Sequence, residues 1–569
     1  MKRALLVLAV CAVIFSQMGC GGSSSATVPP APFSFASTPI PTAGEGQTYS
    51  YTMGVTGAGQ NTVTFHLDAG PDGASISGST LTWVPSSAQS RTANQFSVTA
   101  TAGTATDQQR WSVTPTGTVQ GTQIVSYVTD SRVTQQPDDT SQVAISASAP
   151  DGRGGFTTLS GTGSNTGTYS VASVPGGYYW LQNGPITFVW TNQNTVDTGR
   201  DTLGQPSRTF PTLPTLVDLS LTGLSPWQNG DEQQLYVPTS NSYLDYAWNL
   251  NVGDTSLYQQ VPWTTPLLDA SQGDTIYLSQ LVVAPVAGGR SVEALSNSAP
   301  PITGITQPDG TEIELDAALE SVDQENLFRG NIAGSVFAQL ESGMNPSAIP
   351  DSSYAFLDVH PAGTDYGWIG NTPDLVSFDG TDAPIRTDTD MGDIAYGNPY
   401  PEGWEPFLDY VHYVRLDYTA PGAVNAITHY AYLELQTTTM PTVTSPVTPS
   451  VGPVVSPKIN GLDLFHDQAA VGTMPILSWT APALGTPTGY EVEVYYLYNN
   501  GGDSQADKVG DLYTKTTTIQ VPPGMLSSGS SYYFRISTVA EPGIDYETAP
   551  FRHAFPRAVA QALTGVVTP

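Results

Sequence analysis

Apolar and polar residues alternate with a period of two along most of this chain. "TVTFHL" (62–67), "QFSVTATA" (95–102), "GTYSVASV" (167–174), "TIYLSQLVV" (275–283), "YVRLDYTA" (413–420), "YEVEVYYLY" (490–498) and "SYYFRISTV" (531–539) all carry the pattern. Each is bounded by Gly, Pro, Asn or Asp. Successive side chains of a strand point to opposite faces, so this alternation predicts half-buried strands. Helical periodicity is scarce. "EIELDAALESV" (312–322) reads either as a short helix or as a strand. No long amphipathic helix is expected beyond the N-terminal leader. The expected fold is all-β, and 569 residues call for several domains rather than one core.

One apolar run breaks the pattern. Ala4 to Phe15 follows Met1, Lys2 and Arg3. It is short of the roughly 20 residues that span a bilayer as a helix and suits a signal-peptide core. "SQMGCGGSSS" follows, with Gly19 before Cys20 and a Gly/Ser tract after it. This stretch resembles a bacterial lipoprotein signal, although Gln17 stands where that family usually has Leu. The resemblance implies cleavage after residue 19, lipid attachment at Cys20, and a tether over 20–34. Gly21 is not the Asp that retains such proteins at an inner membrane, so the outer membrane or cell surface is expected. Ordinary cleavage near Ser24-Ser25-Ala26 would instead release a secreted chain.

Four further modules are expected. Residues 35–115 hold Gly78, Leu81, Trp83, Pro85, Gln89, Phe96, Val98, Trp111 and Val113. Leu81 and Trp83 lie two apart, hence on one side of a strand that Pro85 ends. The set resembles putative-Ig and cadherin-like domains, without the calcium-binding Asp residues of true cadherins. Residues 117–205 hold Gly167, Tyr169, Val171, Val174, Gly177, Tyr179 and Leu181. They resemble a carboxypeptidase-regulatory or prealbumin-like sandwich, with a turn at Pro175-Gly176-Gly177. Residues 208–440 form a central β-rich region of one or two subdomains, with no family resemblance. The Pro/Thr/Ser/Val tract 441–457 predicts an extended linker. Residues 458–569 hold Pro475, Trp479, Pro482, Tyr490, Leu526, Gly529, Tyr532, Phe534 and Ile536. These resemble fibronectin type III, which implies a core Trp479 and a strand-crossing corner at Leu526 and Tyr532. The architecture expected is therefore a chain of β-sandwich modules around a larger central β-region.

Charge narrows the partners. The net charge is −32, and loss of the leader removes two more positive charges. Nucleic acids and anionic membrane surfaces need clustered Lys and Arg, so neither is expected to bind. Contact with a membrane is expected only through the N-terminal lipid. Cys20 is the sole cysteine beyond the leader, so no disulfide is expected within one mature chain.

Candidate chemistry is sparse. No Gly-x-Ser-x-Gly elbow and no His-Glu-x-x-His motif occurs. "GGDSQAD" (501–507) is read as a hairpin loop rather than a nucleophile site. His412 and His429 are read as strand histidines that could face each other across a hairpin. Asp388, Asp390 and Asp393 form an acidic loop that could hold Ca2+, although its Gly392 and Pro399 depart from an EF-type loop. No other cofactor is expected. Glu402 and Glu405 flank Trp404, a juxtaposition seen at sugar sites. Trp227 and Trp404 sit among turn residues and are the expected platform for stacking on sugar rings. No catalytic set is expected. The favoured reading is an anchored lipoprotein whose β-modules bind or adhere to glycan or protein ligands. An extracellular carbohydrate-active or other hydrolytic enzyme, and a structural envelope component, are the alternatives.

Overall fold

The computed structural model describes residues 31–130, 132–245, 250–379 and 384–569, so the leader and Cys20 lie outside the described residues. The chain is all-β and forms multiple sheets. It divides into two compact units.

The first unit comprises the described residues up to Ala43, Gln47–Val84 and Asn94–Val113. One sheet pairs Tyr49–Thr52, Thr80–Trp83 and Ser75–Ser77. A second pairs Val63–Ala69, Asn94–Ala102 and the first part of Ala105–Thr122. Leu81 and Trp83 point inward together, as their spacing requires, and meet Phe96, Val98 and Val113. Phe96 stacks on Trp111 at 5.1 Å and meets Trp83 edge-on at 5.4 Å. These packed aromatics make the sandwich core.

The second unit holds Gly44–Gly46, Pro85–Ala93 and Thr114–Pro569. Its first sandwich sets Thr168–Val174 in one sheet and Tyr179–Asn183 in the other. The turn at Pro175–Gly177 carries the chain between them. The buried Arg91 guanidinium holds that turn, donating to the carbonyls of Pro175 and Gly177 at 3.0 and 2.7 Å. Farther on, Glu312–Ala318 is a strand, paired in parallel with Leu216–Thr222, so the ambiguous segment resolves as β. The one long helix among the described residues is Gly334–Met344. Phe337, Glu341 and Met344 recur at helical spacing and are buried, a pattern the β-rich context obscured.

The C-terminal sandwich sets Leu462–Asp463, Val455–Ile459, Ile476–Thr480 and Thr518–Gln520 against Asp503–Thr514, Gly489–Asn500, Ser531–Ala540 and Arg557–Leu563. Trp479 is buried in its core against Tyr490 at 5.3 Å.

These modules are not separate beads. Thr187–Thr191 pairs in parallel with Asp503–Thr514, and Ile427–Thr437 pairs antiparallel with Arg557–Leu563. Both edges of the C-terminal four-stranded sheet are thereby covered, which removes unpaired strand edges. The pairing continues through Glu405–Tyr418, Ile349–His360, Asp374–Asp379 and Ser291–Ser298. One sheet thus runs from the first sandwich through the C-terminal module into the central region.

The same continuity overturns the expected linker. Val447 and Val451 of the 441–457 tract are 5% and 1% exposed and belong to the central core. Asn331 donates its amide to the Thr442 carbonyl at 2.8 Å. The prolines keep the segment irregular, while Val447 and Val451 pack it onto the core and Val443 stays exposed.

Candidate functional site

The long sheet has two dissimilar faces. One is apolar and carries the main cores. On the other, strand register places Glu434, Gln436, Arg557, Ser537, Glu491 and Tyr513 side by side. Tyr354, Phe356, Asp409, Tyr413, Tyr430 and Tyr432 continue this face toward the central region. Tyr413 meets Tyr354, Tyr430 and Tyr432 edge-on at 5.8, 6.2 and 5.7 Å.

A cleft of about 830 Å³ opens where this face meets the first sandwich and the loop after strand Ile349–His360. The half-buried Tyr513 and Phe551 supply aromatic surface, edge-on to each other at 5.0 Å, with the buried Tyr546 behind them. Gln123, Asn183, Asn241 and Asn371 supply amides. Trp368 also lines the cleft and is 45% exposed.

Local sequence explains how Trp368 is presented. "YGWIGN" (366–371) sets glycine on both sides of Trp368-Ile369. A Cβ on Gly367 would lie 2.7 Å from the Ala554 nitrogen, and one on Gly370 2.7 Å from Asn241 Oδ1. The loop can press against both neighbours only because those side chains are absent. Ile369 turns inward onto Val128 and Leu203, leaving Trp368 outward. Asn241 then pins the loop, accepting from the Asn371 nitrogen at 2.7 Å and from its side-chain amide at 2.8 Å.

The charged residues of the cleft are mostly committed. Arg557 donates to Glu434 at 2.8 Å. His553 Nδ1 and the Ala554 nitrogen both lie on the buried Glu541 carboxylate, at 3.1 and 2.8 Å. Arg552 bridges Asp197 and Asp201 at 3.0 and 2.6 Å and so braces the wall. Among the described residues, Glu491 makes no ion pair and accepts a hydrogen bond from the Tyr513 hydroxyl, at 3.1 Å. Desolvation, reinforced by the Glu493 and Asp511 carboxylates, pushes its carboxyl up to about 7.

The sequence-predicted residues lie elsewhere. Trp227 and Trp404 are 5% and 3% exposed, which corrects their assignment as a sugar platform. Trp404 stacks on Tyr400 at 5.3 Å and packs against Tyr277 and Tyr236. Turn residues beside a Trp mark an exposed backbone, not an exposed ring. Glu402 and Glu405 are exposed and do not line the cleft. Glu405 accepts from the Thr364 nitrogen at 3.1 Å instead.

Asp388, Asp390 and Asp393 do not converge as a calcium site. They are spread along the strand Asp388–Tyr396, and Arg329 on the facing strand binds both Asp390 and Asp393. Asp388 accepts from the Ser335 hydroxyl at 2.7 Å. The one group among the described residues with the spacing of a metal site is Glu491, Glu493 and Asp511. Arg535 and Lys508 already occupy it: Arg535 pairs with Glu493, and Lys508 lies 3.3 Å from Glu493 and 3.0 Å from Asp511.

His412 and His429 do not meet either. His412 is buried on the core side, 3.0 Å from Glu341. His429 packs among Tyr418, Tyr495 and Tyr533, and burial lowers its imidazole to about 4. "GGDSQAD" forms the expected hairpin, with Gly501 and Gly502 at positive φ. Ser504 is buried and donates to the Asn425 carbonyl at 2.6 Å.

No protein-family model matches the chain, and no curated protein matches it. Among solved structures, the N-terminal four Ig domains of Dscam1 isoform 8.4 align over 68% of this chain and 96% of theirs, at 9% identity and a TM-score of 0.14. Sidekick-1 immunoglobulin domains 1–5 align over 94% and 98%, at 8% identity and a TM-score of 0.15. With superpositions this weak, the fold is defined by the strand pairing itself.

Proposed function

We propose that this protein is a lipid-anchored envelope protein that binds a glycan in the cleft beside Trp368. The Ig/cadherin-like and fibronectin type III-like modules belong to this reading as a display scaffold. The observation that carries it is an exposed tryptophan at a cleft lined also by the half-buried Tyr513 ring and by amide side chains held in place by their own hydrogen bonds. Sugars present apolar ring faces and rims of hydroxyls, and those two lining chemistries complement them.

Full-length protein in detergent is expected to be retarded by at least one polysaccharide in affinity electrophoresis. Trp368→Ala should weaken that retention about tenfold, as expected for losing an aromatic anchor, without lowering the melting temperature. Equal retention of the variant, or no retention by any polysaccharide, would remove the reading.

The anchor is tested separately. Metabolic labelling with a fatty acid is expected to mark the wild type and not Cys20→Ala, which should leave the membrane fraction. An unlabelled wild type would mean that the chain is released, not anchored.

A further inference from the structure

We infer that the ligand of this cleft is a glycan carrying free amino groups, with one ammonium seated on Glu491. The inference rests on the glycan reading above and assigns the charge of the ligand.

The arginines and Asp201 of the cleft lining each have an ion-pair partner. Of the guanidinium groups lining the cleft, Arg557 is bound to Glu434 and Arg200 lies 3.8 Å from Asp138, while the His553 imidazole lies on Glu541. Asp201, the other carboxylate of the lining, is held by Arg552. Glu491 is left without an ion pair among the described residues and takes a hydrogen bond from the Tyr513 hydroxyl.

The groups around it do not fill that gap. On its own strand, Glu493 is tied to Arg535 and Lys508. On the neighbouring strand, Asp511 is tied to Lys508. One carboxylate oxygen each of Glu491, Glu493 and Asp511 lie within 4.8 Å of one another, so these neighbours set a negative field at Glu491 that the Arg557 guanidinium opposes only in part. A divalent ion is a poor complement, because the Lys508 ammonium and Arg535 guanidinium already sit on two of the three carboxylates.

An ammonium bonded to one acceptor is the better complement. The Tyr513 hydroxyl already donates to the same carboxylate and so fixes its orientation toward a second donor. The amides and Trp368 then address the sugar body, which a bare polyamine or a lysine side chain does not have.

Desolvation and the neighbouring carboxylates raise the affinity of Glu491 for protons, which makes the inference readable by pH. Lowering pH from 7 to 5 adds charge to an amino sugar but neutralises Glu491. A loss of binding over that range therefore reports the protein carboxyl and not the ligand.

The test is calorimetry of the full-length protein in detergent with glucosamine hexamer and its N-acetylated counterpart. At pH 7 the amino hexamer is expected to bind about tenfold tighter, the scale of one charge-assisted hydrogen bond. That preference should disappear in Glu491→Gln and, in the wild type, at pH 5. The N-acetylated hexamer should be indifferent to both changes. The wild-type pH arm decides the matter even if the variant folds poorly. Equal affinity for the two hexamers would overturn the inference and leave the glycan reading standing. Failure of both to bind, with another neutral glycan retained, would also overturn the inference alone, whereas no glycan binding at all would sink both. Displacement of the amino hexamer by pentalysine at equal affinity would make the site a general polycation site and overturn the choice of an amino sugar.

Discussion

The melting temperature is expected to fall as pH is raised from 5 to 8.5, and Asp358→Asn is expected to restore much of the loss. Asp358 and Asp374 face each other directly on neighbouring strands and are only 8% and 9% exposed. No cation pairs with either among the described residues. Thr372 donates to Asp358 at 2.8 Å and Gln234 to Asp374 at 2.9 Å. Two buried carboxylates this close cannot both ionise, so the pair holds a proton. Burial pushes Asp374 up to about 6 and Asp358 well above the usual carboxylate range. Nearby, burial and the Asp374 carboxylate push Glu232 up to about 8.

The sign follows from linkage. These carboxyls bind protons more tightly in the folded chain than in the unfolded one. Their stabilisation is fully present below the ordinary carboxylate range near 4, and it is lost as pH rises through about 6 for Asp374 and about 8 for Glu232. A tenfold difference in proton affinity corresponds to about 1.4 kcal/mol, so the combined loss is several kcal/mol. Asn at position 358 keeps the Thr372 contact and offers an amide donor to Asp374 at any pH. Its advantage over the wild type should be large at pH 8.5 and absent at pH 5, read by thermal melting at both. A melting temperature that climbs from pH 5 to 8.5 would show the pair to be ionised and otherwise compensated.

Trp404→Ala is expected to cost about 3–5 kcal/mol, the scale of a buried Trp truncated to Ala, and to leave glycan retention unchanged. Its ring lies 8° from parallel with Tyr400 and fills the space between Tyr277 and Tyr236. Removing it leaves a cavity lined by three rigid rings that cannot collapse. Trp404→Phe should recover much of the stability, as denaturant melts will show. Trp368→Ala should behave in the opposite way, harming binding and sparing stability. A Trp404→Ala variant that melts like the wild type would place the ring outside the core.

The contrast between these two tryptophans shows what the sequence could and could not reveal. Each of the seven alternating runs lies on a strand, because period-two alternation records burial on one face, which is a local property. Trp83 was legible as inward-facing from its spacing to Leu81, and the core position of Trp479 was implied by the fibronectin type III resemblance. The exposure of a Trp among turn residues is not local. Trp404 is covered by Tyr236 and Tyr277, far off in sequence. The signal for Trp368 was present in the paired glycines of "YGWIGN", since two residues without side chains beside a Trp suggest a tightly pressed loop. The partners it presses against, Asn241 and Ala554, could not be foreseen. Glu491 was hidden for another reason. It sits in an ordinary alternating strand, and only the pairing of that strand with Asp503–Thr514, and of Asp503–Thr514 with Thr187–Thr191, brings it to a cleft. The acidic run at Asp388–Asp393 misled in the reverse direction, because the arginine that neutralises it comes from a distant strand.

The sheet that crosses the module boundaries also dictates an order of assembly. Thr191 donates its hydroxyl to the Glu547 carbonyl at 3.0 Å, 356 positions later, and its strand lies against Asp503–Thr514. During synthesis, the first sandwich of the second unit must wait with an open strand edge until nearly the whole chain has emerged. Contacts of such long sequence separation slow folding and leave the waiting edge open to wrong partners. A chain truncated before residue 503 should therefore aggregate rather than yield a shorter native protein. The C-terminal module is thus the closing segment of a fold begun hundreds of residues earlier.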